Sequence, residues 1–150
     1  MHKRVINNFD LSYYIKVAMR KLKFGLLSLI ALSMCSCTTY ASHYRAIVLI
    51  TNNTNNESSM RFGDFEGTYV FKMKKTSDGE GSIVYHASLE QGTFNVSYVV
   101  LGQEYPLFTI SDGQNIDSQG GYIEKGQKVS IVLKSESNAK NGDFKFTFSN

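Results

Sequence analysis

The side chains in this 150-residue chain that are suited to covalent or metal chemistry are few and unevenly placed. Its two cysteines, Cys35 and Cys37, stand one residue apart at the end of an apolar run. A disulfide between them would close a very small, strained ring. The sequence after Cys37 contains no cysteine, so it holds no internal disulfide, no thiolate metal site and no cysteine nucleophile. The histidines are His2, His43 and His86. A zinc site needs three or four convergent ligands, and these histidines have no partner at ligand spacing. His86 alternates with Tyr85 and Ala87 and is expected on a solvated face. Asp112 to Asp117 (DGQNID) offers oxygens of the kind calcium takes, although turn chemistry explains Asp-Gly and Asn equally well. Asp64, Glu66 and Glu57 are candidate carboxylates for glycoside hydrolysis, a reaction that requires a defined separation between two of them. Gly-x-Ser-x-Gly, Walker and His-Glu-x-x-His patterns do not occur. The expectation is a protein without catalytic residues, metal or cofactor.

The aromatic side chains offer a different chemistry. There are nine tyrosines, ten phenylalanines and no tryptophan. An exposed aromatic ring can stack on a sugar or another planar ligand, while a buried one is core. Tyr105 and Tyr122, with Tyr40, fall at loop edges and are the candidate ligand-binding residues. Most other aromatics fall on faces expected to point inward.

Charge divides the chain. Residues 1–37 carry six basic side chains against Asp10, a net +5, whereas residues 38–150 carry ten basic against twelve acidic, a net −2. The domain after the leader therefore has no excess positive charge for gathering phosphates, which argues against nucleic-acid binding.

The leader has an internal order. Arg20, Lys21 and Lys23 precede an eleven-residue apolar run from Phe24 to Met34, which ends in Cys35-Ser36-Cys37. That run suits a signal-peptide core and is short of the ~18–20 residues of a membrane-spanning helix. The ending resembles the lipobox of bacterial lipoproteins, with Met34, Cys35 and Ser36 ahead of Cys37. In the alternative frame, Leu32, Ser33 and Met34 precede Cys35, and a bulky Met occupies the position next to the cysteine. The resemblance implies diacylglyceryl attachment to the Cys37 thiol, or alternatively Cys35, with the leader cleaved just ahead of the acylated cysteine, which becomes the first mature residue. The protein would then be exported and held on the outer side of the cytoplasmic membrane or in the outer membrane. Each buried methylene contributes about 0.8 kcal/mol, so two or three acyl chains anchor firmly. Residues 1–18 form either a long n-region or a stretch ahead of a true start at Met19.

Residues 38–43 (TTYASH) are short and polar and are expected to tether the anchor to a domain at 44–150. Tyr44 to Thr51 is a β-branched apolar run, expected to be a strand buried on both faces. Thr68 to Lys74, Ser82 to Leu89, Thr93 to Leu101, Lys128 to Ser135 and Asp143 to Ser149 alternate with period two, as half-buried strands do. Asp78-Gly79 marks a hairpin. Pro106 places its strand at an edge. Ser111 to Gly121 reads as a polar loop, and Asn138 to Gly142 as a turn. With Met60 to Phe65 and Tyr122-Ile123, this makes eight or nine short strands, and the fold class is all-β: an antiparallel two-sheet β-sandwich.

Four segments, Phe65-Glu66-Gly67-Thr68-Tyr69, Leu89 to Tyr98, Lys125 to Val132 and Asn138 to Phe146, resemble a type of small bacterial surface lipoprotein domain. Those domains are β-sandwiches of mostly uncharacterised role. The resemblance implies a lipid-anchored binding or interaction module whose partners are the membrane and an envelope protein or glycan. A carbohydrate-binding module is the alternative, and a small hydrolase a third.

Overall fold

The computed structural model describes residues 40–149, which fold as all-β structure with every strand pair antiparallel. The predicted leader, with Cys35 and Cys37, lies outside the described residues. Seven strands run in chain order: β1 (His43–Asn53), β2 (Glu57–Lys74), β3 (Gly81–Gln91), β4 (Thr93–Val100), β5 (Gln103–Ser111), β6 (Gln114–Ile123) and β7 (Lys128–Phe148).

The expected eight or nine strands become seven for a physical reason. Met60–Phe65 and Thr68–Lys74 are one strand, β2, continuous through an irregularity between Phe65 and Gly67. Likewise, Lys128–Ser135 and Asp143–Ser149 are the two halves of β7, and the predicted turn at 138–142 is extended backbone within it. A glycine at φ 114 lets β2 bend without ending; at Gly67 an added Cβ would run into the His43 backbone. The segment read as a loop at 111–121 is a tight turn at Asp112-Gly113 followed by β6.

The paired β2 and β7 fold over at this bend. The amide of Lys74, at the end of β2, donates to the carbonyl of Asn55, just before its start, at 2.8 Å. Two facing layers result, in the manner of a β-sandwich. The first layer holds β1, the first half of β2, the second half of β7, β3 and β6. The second layer holds the other halves of β2 and β7 with β4 and β5. Phe94 of the second layer packs against Phe62 and Phe144 of the first, with ring centroids 5.5 and 5.0 Å apart. Tyr85 stacks on Phe108 across the gap at 4.4 Å. Each such ring, fully withdrawn from water, contributes about 2–3 kcal/mol.

The period-two reading holds within each half strand. Ile83, Tyr85, Ala87 and Leu89 are buried, as are Val129, Ile131 and Leu133, and Phe144 and Phe146. It slips along a line across three strands. Val48 (φ 51), Gly63 and Asn141 (φ 49) lie opposite one another, and pairing skips there between Ile47/Asp64 and Leu49/Phe62. Past this crease the inward phase shifts by one, so Phe62 and Phe65, three residues apart, both reach the core.

The reading of β1 as buried on both faces is overturned. It is an edge strand that pairs with β2 alone, and Ile47, Val48 and Ile50 are exposed. Ala46 and Leu49 pack on the core, and Tyr44 stacks on Phe65 at 5.5 Å. Pro106 lies, as expected, on a strand that pairs with one neighbour only, β4. Lys75, just past β2, is fully buried; its ammonium donates to Ser77 Oγ at 2.5 Å and to the Ser149 carbonyl at 3.2 Å, tying the end of the chain to the β2–β3 turn.

Candidate ligand-binding cleft

The site is built on the outer face of the second layer. Side chains alternate across its strands, so the rows pointing away from the core are Lys134–Asn95–Thr109, Val132–Ser97–Pro106 and Ser130–Val99–Glu104, each running β7–β4–β5. An irregularity between Val96 and Ser97 leaves Leu107 without a direct partner and brings Pro106 opposite Ser97. This local break opens a cleft of about 380 Å³ lined by Asn95, Ser97, Glu104, Thr109, Val132 and Lys134 among others. Val132 and Val99 are only 6% and 8% exposed although they point outward, so this face has a partly apolar floor.

Glu104 is fixed at one edge. Its carboxylate accepts from Ser97 Oγ at 2.5 Å and from the Tyr40 hydroxyl at 2.7 Å. The Ser97 hydrogen bond and then that of Tyr40 hold the Glu104 carboxyl below its usual value of 4.5 against the opposing effect of burial, with a lesser lowering by the charge of Lys134. At the other edge Thr109 Oγ1 donates to Asn95 Oδ1 at 2.9 Å, which leaves the Asn95 amide N–H groups as donors. An ammonium, an amide, hydroxyls and a held carboxylate above valines suit a small polar ligand with an apolar face.

The segment expected to be a tether lies partly on this face. Ser42 Oγ accepts from the Val70 amide on β2 at 3.0 Å, while Tyr40 reaches Glu104 on β5. Val132 and Ser97 occupy the strands between these two points. Residues 40–42 therefore run as a strap across the second layer before β1 begins at His43.

The predicted tyrosines are brought to one end of the domain but not into the cleft. Tyr105 is 38% exposed; its ring stacks on Tyr98 at 5.3 Å, and its hydroxyl donates to Gln103 Oε1 at 2.5 Å. Tyr122 is 54% exposed, and its hydroxyl bonds Glu80; chiefly through that bond its pKa is pushed up to about 12. Gly121 beside it adopts φ 74 with the Tyr98 ring 3.0 Å from where a Cβ would stand, which links β6 to the Tyr98–Tyr105 stack. Tyr40, the third candidate, is the one that meets the cleft.

Of the candidate carboxylates, two share a cleft and the third lies apart. Asp64 and Glu66 line a second cleft of about 310 Å³ with Arg45 and Lys140. Glu57 lies seven residues from Asp64 along β2, about 23 Å, and pairs with Lys145 at 3.3 Å. Asp112 accepts from the Gly92 amide at 2.5 Å, while Asp117 turns to His86. The DGQNID oxygens are thus spent separately, and among the described residues no group of three His, Cys, Asp or Glu side chains comes together to hold a metal. His86 has a partner the sequence did not reveal. Its Nδ1 lies 2.6 Å from Asp117 Oδ1, because the β3–β6 register sets the two side by side. Sequence reasoning also missed Ser97, Glu104 and Lys134, whose types are unremarkable on strands; the Pro106 interruption was the one available signal.

No protein-family profile matches the chain. No curated protein matches it either. Among solved structures, it is similar to EutQ from Clostridium difficile, at 13% identity and a TM-score of 0.32, over 71% of this chain and 64% of that one. It is also similar to CBM35 from Paenibacillus barcinonensis, at 13% identity and a TM-score of 0.36, over 75% and 85%. The cupin domain of Drosophila melanogaster CENP-C is similar at 16% identity and a TM-score of 0.30, over 67% and 70%.

Proposed function

We propose that this chain is a non-enzymatic binding module of the bacterial envelope, lipid-anchored through Cys37, which takes an envelope component in the Asn95–Glu104–Lys134 cleft. The observation that carries the reading is the hydrogen-bonded group Ser97–Glu104–Tyr40 at the cleft edge. It fixes a carboxylate in place, and it is completed by a residue three positions after Cys37. Preorganised polar side chains over a partly apolar floor are what a small binding site requires. The basic n-region, the eleven-residue apolar run and Ser36-Cys37 support the anchor.

A glycan is the second reading, favoured by one observation. Tyr105 is held flat against Tyr98 and tethered by Gln103, so a sugar stacking on its exposed part would not need to order it first.

One experiment addresses both parts. The full chain and its Cys37→Ala and Cys35→Ala variants are labelled with palmitate in a bacterial host, and the purified protein is applied to arrays of envelope glycans and peptidoglycan fragments. Expected are loss of label in Cys37→Ala alone and binding weakened at least tenfold by Asn95→Ala. Label that persists in Cys37→Ala refutes anchoring at that residue. Binding insensitive to Asn95→Ala but lost in Tyr105→Ala moves the site to the tyrosines.

A further inference from the structure

The end of the domain where β4 turns into β5 combines three features. The first is the turn itself. Leu101 and Gly102 are its two central residues, at φ 52 and 80. Positive φ at both positions defines the turn type that selects Asn, Asp or Gly first. A leucine is out of place there, and it projects into solvent at 86% exposure, the highest of any large apolar side chain among the described residues. Nothing in the turn rewards that choice in water.

The second feature is what surrounds the tip. Tyr105 and Tyr122 stand at this same end, each with an exposed ring and a hydrogen-bonded hydroxyl, the amphipathic form that settles at a membrane interface. Lys74 and Lys128 also lie here, directly opposite each other in the β2–β7 register and both exposed, while Glu80 and Glu124 bear on Tyr122, so any attraction to phosphates comes from the lysine pair and not from net charge. Like charges set face to face in a sheet oppose pairing, and an anionic surface relieves that repulsion.

The third feature is covalent reach. Tyr40 bonds Glu104, which is three positions from Leu101, and Tyr40 is three positions after Cys37. An extended span of that length covers at most about 11 Å.

We infer that this end of the domain seats on the headgroup region of an anionic bilayer, with Leu101 entering the interface and Lys74 and Lys128 facing the lipid phosphates. This rests on the anchoring at Cys37 proposed above. Shallow insertion of one leucine adds little affinity beside the acyl chains. Its effect is to fix orientation, so that the domain stands on the β4–β5 tip with the bend of β2 and β7 pointing away.

The test uses the full chain, processed in a bacterial host and reconstituted in phosphatidylcholine vesicles containing phosphatidylglycerol. The sequence has no tryptophan, so Leu101→Trp introduces a single indole, and Ser137→Trp places one at the opposite end as a control. Expected are blue-shifted emission and quenching by brominated lipid for Leu101→Trp, with aqueous, unquenched emission for Ser137→Trp. In the Leu101→Trp background, Lys74→Gln with Lys128→Gln is expected to weaken the quenching while leaving palmitate label intact. If Leu101→Trp stays aqueous in protein that carries the label, the seating is overturned and the anchor stands. If the protein carries no acyl group at Cys37, both fall. Quenching that ignores the two lysine changes and the phosphatidylglycerol content overturns the anionic assignment.

Discussion

The two layers turn different surfaces outward. On the first layer the outward side chains pair across strands: Arg61 with Asp143 and Glu57 with Lys145 as ion pairs, and His86 with Asp117 through its Nδ1, all at partly or fully exposed positions. Val84, in the same face, is 36% exposed. On the second layer, Val99 and Val132 point outward yet are nearly inaccessible; above them Ser97 is bonded to Glu104 and Thr109 to Asn95, and an ion pair, Lys134 with Glu136 at 3.8 Å, lies at the rim. The first face is what a sheet needs simply to be wet, since exposed pairs of this kind contribute about 0–1 kcal/mol each. The second departs from that pattern, and its departure marks where a ligand and the strap are accommodated.

A charge placed on each floor should separate the faces most sharply. Val132→Asp is expected to destabilise the fold by about 2–4 kcal/mol, because it buries a carboxylate beneath the cleft without a partner. Val84→Asp, on the other face, is expected to cost about 1 kcal/mol or less. Urea unfolding of the two variants measures the difference, and equal losses would erase the distinction.

A smaller effect should follow from releasing the strap. Glu104→Gln keeps the shape but removes the charge that Ser97 and Tyr40 favour. Its expected cost is about 1 kcal/mol or less at this exposed position, together with faster hydrogen exchange at residues 41–43. Acid should mimic it. Because the folded carboxyl titrates below 4.5, its contribution is present above that pH and is lost as pH falls through the folded value. Strap protection that survives at pH 2 would show that Tyr40 is held by something other than this carboxylate.

The least effect is expected on the first layer. A double-mutant cycle on Arg61 and Asp143 should give a coupling of about 0.2–1 kcal/mol that shrinks in high salt. Hydrogen exchange at the strap should not respond to either change.

Much of the fold is legible in the sequence, because alternation within a half strand follows directly from the pleat. The inward residues of β3, the first half of β7 and the Phe144–Phe146 pair followed from period two alone. Three things did not. Continuity of β2 and β7 through their bend is invisible, since Gly67 and Asn138 to Gly142 have the composition of turns. The exposure of β1 depends on which strand ends up at the edge, a matter of tertiary order that an apolar run does not encode. The cleft was hidden because its polar residues come from three strands, and only the register sets Asn95 beside Thr109 and Ser97 beside Pro106. Tyr40 was picked out as an aromatic platform, whereas its hydroxyl, bonded to Glu104, is what ties it to the cleft.

The line through Val48, Gly63 and Asn141 carries a consequence for how such a sequence can change over generations. A residue lost from one of these strands at the crease would throw half of that strand out of step with its neighbours, turning core residues to water. Only matched losses in the other two would restore the phase. Insertions and deletions should therefore be tolerated at the Asn52–Asn56 and Asp78–Glu80 turns and shunned here, so that the crease passes to descendants as a single inherited unit.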